Sequence, residues 1–366
     1  MSVTLTRAGL DELLAAIARR GYRVLGPTLD GSAIELGPVS STSDLPEGWG
    51  DEQSPGRYRL RRRDDAALFG FTLGARSLRH VFQPPETRLY TIRRRDRELS
   101  LVPSPPSSSH TALLGVRACE LAALAVHDRV LRASDAGYAA RRDDVLVVAV
   151  TCGSPSSTCV CTSMGGDPEP TCGFDVRLTE LLEGEHRFIA EAGTARGEEL
   201  LSEVTRRDVD DADRRAEQDV VAGARRAITR HLDTERLPEQ LAGALEHPRW
   251  DELGHVCVAC TSCTLVCPTC FCTATRDVTP IGSDEASRVQ AWDSCFSPEH
   301  SQMHGGSARP TVASRYRQWV VHKLSTWVDQ FGTSGCVGCG RCLTWCPAGI
   351  DLTAEVATLR HPREAP

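Results

Sequence analysis

The chain has 366 residues, 40% of them hydrophobic and 25% charged, with a net charge of −7. That length is enough for two domains, each with its own core. No run of 18 apolar residues occurs, so no transmembrane helix is expected. The acidic balance, without aromatic residues among the basic ones, speaks against a nucleic-acid partner.

The first segment, "MSVTLTRAGLDELLAAIARRG", has no basic stretch followed by an apolar one. It reads as a capped amphipathic helix, and no secretory signal is expected. Short strands follow at "YRVLG", "SAIELG" and "YRLRRR", with Gly/Pro-rich punctuation between them. "PSPPSSSH", 103–110, reads as a loop or internal linker. An α/β pattern comes next. "TALLGVR" and "DDVLVVAV" are apolar runs suited to buried parallel strands, and "CELAALAVHDRVLRA" has helical spacing between them. Cys119 and Cys152 fall just beyond the two runs, where open α/β sheets gather ligands. Cys119 also lies near a helix N-terminus, which favours an anionic group. Residues 198–248 read as helices with solvated charges, and the Arg clusters at 61–63 and 93–95 read as solvated too.

The 16 cysteines are unevenly placed: none precedes Cys119, and Cys346 is the last. With no secretory signal the expected location is the cytoplasm, where thiols stay reduced and clustered cysteines indicate metal. The pattern Cys-x2-Cys-x2-Cys-x3-Cys-Pro occurs twice, at Cys257, Cys260, Cys263, Cys267, Pro268 and at Cys336, Cys339, Cys342, Cys346, Pro347. It is the bacterial ferredoxin signature, in which the fourth cysteine ligates the other cluster. A Cys-x2-Cys pair alone could serve in a zinc ribbon, but two complete copies, each followed by Pro, favour iron–sulfur.

Cys257, Cys260, Cys263 and Cys346 are therefore expected to hold one [4Fe–4S] cluster. Cys336, Cys339, Cys342 and Cys267 are expected to hold the second. Each fourth cysteine is expected to begin a helix leading away from its own loop. Gly338 and Gly340 are expected to let the backbone pass close to the cubane. Cys267 and Cys336 are separated by 68 residues, which implies a large insertion, 273–330. The expected fold is an α/β (α+β) N-terminal domain, 1–240, followed by a C-terminal bacterial dicluster-ferredoxin-like domain, 241–366.

"GVRACELAAL", "TCVCTSMG", "CTLVCPTCFC", "WDSC", "RYRQWVVHKL" and "GCVGCGRCLTWCPAGID" together resemble the family of sulfhydrogenase β subunits and the A subunits of anaerobic sulfite reductases. "PGRYRL" and "FQPPETRLY" fit it as well, so the resemblance covers nearly the whole chain. Ala118 departs from the Pro expected there, and Glu120 stands for the usual Asp; neither change removes a thiol. The resemblance implies a non-catalytic iron–sulfur electron-transfer subunit of a cytosolic oxidoreductase complex. One partner would be an FAD/NAD(P)-binding subunit. The other would be a catalytic subunit, a [NiFe] hydrogenase in one branch and a sirohaem sulfite reductase in the other. No G-x-G-x-x-G after a strand and no P-loop occurs, so flavin and nicotinamide are expected on a partner.

Eight cysteines lie outside the two ferredoxin motifs. Singly, each reads as a buried small hydrophobe. As a set around expected strand ends, Cys119, Cys152, Cys159 and Cys161 are read as ligands of a third [4Fe–4S] cluster. Cys270, Cys272 and Cys295 are candidates for a further, fourth centre, with His304 or His322 as candidate fourth ligands. Cys172 is left out of the site. An iron–sulfur redox sensor that binds DNA would need a helix-turn-helix or a basic domain, and neither is evident. A purely structural metal protein is the other alternative.

Overall fold

The computed structural model describes residues 1–72, 74–105 and 110–360. Residues 106–109 of the expected linker lie outside them; its first residue, Pro103, ends a strand. The main sheet has eight strands. In chain order they are β1 (Ser2–Thr6), β2 (Arg23–Asp30), β3 (Ala33–Pro38), β8 (Thr111–Val116), β9 (Val145–Val150), β10 (Val176–Leu181), β11 (Arg187–Ala192) and β12 (Arg207–Asp208). Among the remaining strands, β4 (Trp49–Ser54) and β5 (Arg57–Arg62) form a hairpin. β6 (Glu86–Arg95), β7 (Glu98–Pro103), β13 (Thr273–Val278) and β14 (Glu285–Trp292) form a separate four-stranded sheet.

The main sheet runs in the order β12-β1-β11-β10-β9-β8-β2-β3. Its centre, β2-β8-β9-β10, is parallel. Every residue of β8 and β9 is buried, as a parallel strand covered on both faces requires. The chain begins with a strand, not a helix. Val3 and Leu5 bury into the core from β1, which pairs with β11, and the helix follows at Arg7–Arg19. Thr6 caps that helix by accepting from Gly9 N at 3.2 Å. β10 and β11, an antiparallel pair joined through Gly184, are not among the strands expected from the sequence. Residues 198–248 are largely helical, at Asp211–Ala227 and Leu237–Gly243, with β12 between helices.

The C-terminal part packs Trp250, Leu253, Tyr316, Trp319, Leu324 and Val356 into its own core. The segment between the two ferredoxin motifs does not stand apart. β14 pairs with β6, Ser287 opposite Thr91, so one sheet is built from both ends of the chain.

Candidate metal centres

β8 and β9 are adjacent and in register, Val116 opposite Ala149, so the segments leaving the two strands emerge side by side. Arg117 locks the two exits together. It donates to Thr151 O at 3.0 Å and to Phe69 O and Phe71 O at 2.7 and 3.1 Å. Cys119, in the first turn of the helix Ala118–Leu131, and Cys152 then face the loop bearing Cys159 and Cys161. These four thiols line one cavity of about 490 Å³, together with Arg117, Asp167, Arg341 and Cys339.

A second cavity, of about 440 Å³, is lined by Cys257, Cys260, Cys263 and Cys346. Phe296, Tyr316 and Trp319 form its apolar wall, and Cys342 reaches it from the neighbouring loop. A third, of about 490 Å³, is lined by Cys267, Cys336, Cys339 and Cys342, with Lys323 in its wall. Each ferredoxin loop thus has its last cysteine in the cavity of the other loop. A wider cleft along Phe69, Glu180, Leu181 and Val220 contains no thiol.

Cys267 does not begin a helix; a turn follows it and leads into β13. After Cys346 a helix starts only at Leu352. What aims these cysteines away from their own loops is the one-turn helix before each, Ser262–Leu265 and Arg341–Thr344, followed by Pro. The two loops share one backbone shape. Ala259 and Thr261 have φ of 51° and 68°, and Gly338 and Gly340, at the equivalent places, have 69° and 74°. The first loop accepts left-handed strain at two non-glycine residues. The second cannot carry side chains there. A Cβ on Gly338 would lie 2.5 Å from Cys161 Cα, and one on Gly340 would lie 2.3 Å from Thr158 O. The glycines therefore admit the 158–161 loop, and that packing, not passage by a cubane, is what requires them. Val160 N donates to Gly338 O at 2.8 Å across this contact.

None of the 16 cysteines is in a disulfide. Among the described residues, no three His, Cys, Asp or Glu side chains close on a single ion. The donor set fits iron–sulfur cubanes: four or five thiols to a cavity, apolar walls, and backbone N–H groups aimed at sulfur. Ala259 N, Gly338 N and Ile350 N each lie 3.4 Å from a thiol, those of Cys257, Cys336 and Cys346. Burial pushes the Cys161 thiol up to about 11 and the Cys336 thiol up to about 12. A bound iron inverts this, since a coordinating thiol is deprotonated outright.

Cations stand where thiolates gather. Arg341, buried, donates to Glu120 at 3.0 Å and to Gly74 O at 3.0 Å, beside Cys339 and Cys119. Lys323 Nζ donates to Thr269 Oγ1 at 2.9 Å and Gly335 O at 3.0 Å. Burial alone would lower its pKa, but Cys267, Cys270 and Cys336 outweigh burial and keep it charged. Cys267 is held well below the usual thiol range, chiefly by a hydrogen bond from Cys270 and then by Lys323. Sequence reasoning missed Arg117, Arg341 and Lys323 as parts of these sites, because no spacing rule links them to the cysteines.

Cys172 is exposed and lines none of these cavities. His304 is exposed, and His322 bonds Gln330 through Nε2 at 3.1 Å. Neither imidazole lines any of the three thiol cavities.

This is the construction of a protein that houses iron–sulfur clusters in thiol-lined cavities. A family model described as a 4Fe–4S dicluster domain matches residues 256–350, which implies two [4Fe–4S] clusters. The chain is similar to sulfhydrogenase 2 subunit beta of Pyrococcus furiosus, 33% identical over 257 residues, covering 69% of this chain and 74% of the relative. It belongs to the sulfhydrogenase β-subunit family. No solved structure matches it. No helix among the described residues is long and apolar enough to cross a membrane.

Proposed function

We propose that this chain is the iron–sulfur electron-transfer subunit of a hydrogenase-type complex. It relays electrons from an FAD/NAD(P)-binding partner to a [NiFe]-type catalytic one, or back, through three [4Fe–4S] clusters. Cys257, Cys260, Cys263 and Cys346 hold the first, Cys267, Cys336, Cys339 and Cys342 the second, and Cys119, Cys152, Cys159 and Cys161 the third. One observation carries the order. Cys342 lines both the first and second cavities, and Cys339 lines both the second and third. Neighbouring centres thus share a wall one side chain thick, and the second is the middle station.

The clusters supply one-electron chemistry, which needs no proton or bond rearrangement in the protein. The chain's own residues exclude water and set the local field. Arg341, bonded to Glu120, lines the third cavity beside Cys339, and Lys323 lines the second. Cys260 is exposed, so the first cavity opens nearest to a partner's surface.

The test uses the full chain purified without oxygen. Replacing Cys152 and Cys159 by Ser should remove about four irons and leave the two ferredoxin centres intact. The chain should be reduced by dithionite or a flavoprotein, and it should copurify with flavin-binding and catalytic subunits. Steady NAD(P)H oxidation by the chain alone would refute the relay role.

A further inference from the structure

Three cysteines, Cys270, Cys272 and Cys295, belong to none of the three cavities. Asp293 N donates to Cys272 O at 2.9 Å and Thr273 pairs with Trp292, so the ends of β13 and β14 bring Cys272 and Cys295 to the same edge. Cys270 lies two residues before Cys272 and within hydrogen-bonding reach of Cys267.

Arg79 is threaded among the same segments and is only 1% exposed. Its Nε donates to Gln83 Oε1 at 3.0 Å and its Nη1 to Thr264 O at 3.2 Å. The guanidinium lies 3.7 Å over the Trp292 ring. Gln83 in turn donates to Phe271 O at 3.3 Å, between two of the three cysteines. Nη2 is buried without any partner among the described residues. Every group that Arg79 bonds is neutral, yet a guanidinium does not give up its proton and is heavily penalised when buried unpaired. The sulfurs nearest to it are those of Cys270, Cys267 and Cys272, which partly oppose the downward push of burial on its pKa.

The rest of the molecule shows what such a cation means. Buried Arg341 has Glu120, and buried Arg177 has Glu169, Glu191 and Glu217. Arg117 and Lys323 bond no carboxylate among the described residues, and each lines a cavity of thiols. Arg79 follows the second pattern: among the described residues it bonds no carboxylate, and the unassigned Cys270 and Cys272 stand beside it with Cys267.

We infer that Cys270, Cys272 and Cys295 hold a fourth iron–sulfur cluster through three thiolates, with Arg79 as its buried counter-cation and Nη2 directed at it. Three thiolates suit a cluster whose remaining corner is not held by cysteine, either a [3Fe–4S] cluster or a cubane with a non-thiolate ligand. Binding exchanges three S–H bonds for three S–Fe bonds, and the three protons leave to solvent. The inference rests on reading the three thiol cavities as cluster sites, so the test must separate the two.

The test compares the anaerobically purified full chain with its Cys272→Ser/Cys295→Ser form, by iron and acid-labile sulfide content and by Mössbauer spectrum. The substituted chain should lose about three or four irons while the reduced-state spectrum of the ferredoxin centres persists. Arg79→Gln should lose the same iron, and Arg79→Lys should keep it. If the double substitution does not accumulate, Cys272→Ala and Cys295→Ala singly read the same loss. Unchanged iron in the cysteine variants overturns the fourth cluster. It leaves the other three standing, because the Cys152/Cys159 variant counts its own irons separately.

Discussion

Single side chains set the field at these cavities. Lys323 lies in the wall of the middle cavity, and its ammonium bonds Thr269 Oγ1 and Gly335 O and reaches Cys267. Its charge favours the more negative, reduced state of whatever the cavity holds. Lys323→Met should therefore lower the reduction potential of the middle centre by on the order of 100 mV, with the other centres much less affected. An EPR-monitored redox titration of the full chain reads this directly. The glycines offer a second test. Gly338→Ala places a methyl 2.5 Å from the Cys161 backbone, where no flexible side chain can give way. The 158–161 loop should be displaced, with loss of about four irons from the third site. The equivalent position in the first loop is Ala259, already left-handed at φ 51°. Ala259→Gly should relieve strain there and raise stability by about 1 kcal/mol, measured by thermal unfolding.

Short elements carry the ligand arrangement. The one-turn helices Ser262–Leu265 and Arg341–Thr344 each carry the third cysteine of a motif and lead to its fourth. Cys346 is thereby delivered to the cavity of Cys257, Cys260 and Cys263. Cys346→Ser should disturb the spectrum of that centre and spare the one at Cys336, Cys339 and Cys342. Finding Cys346 on the Cys336 cluster would overturn the exchange. Lys323 owes its placement to an element that sequence does not announce. The helix from Val312 widens into a π-helical turn at His322–Thr326, and Lys323 points inward from it. Such local widening is common at functional sites.

At the scale of the whole molecule the two halves of the chain are interlocked. The four-stranded sheet joins 86–103 to 273–292, and Thr344 Oγ1 donates to Gln53 Oε1 at 2.7 Å. The third cavity takes Cys339 and Arg341 from the C-terminal part as walls. A fragment ending near residue 240 would expose that cavity and leave β6 and β7 without β13 and β14. It should retain little iron even if its eight-stranded sheet forms. Adding the C-terminal fragment back should restore iron to the third site, which iron analysis of the reassembled pair would show. Iron retained by the fragment alone would mean that its four thiols need no wall from the second motif.

The dicluster signature was legible in the residues because thiolate ligation imposes a fixed spacing within a single loop. So were β8, β9 and the helix between them, since continuous apolar runs and a 3.6-residue period are local properties. The N-terminal strand was hidden by the helix that follows it: five residues, of which Val3, Thr4 and Leu5 are all buried, show no alternation, and pairing with β11 decides their state. Sequence could group Cys119, Cys152, Cys159 and Cys161 by elimination, but only packing shows that Cys339 and Arg341 complete the same cavity. The role of Arg79 was wholly tertiary. Its meaning lies in having no carboxylate near it, and a partner's absence is a property of the folded neighbourhood, not of the residues beside it in the chain.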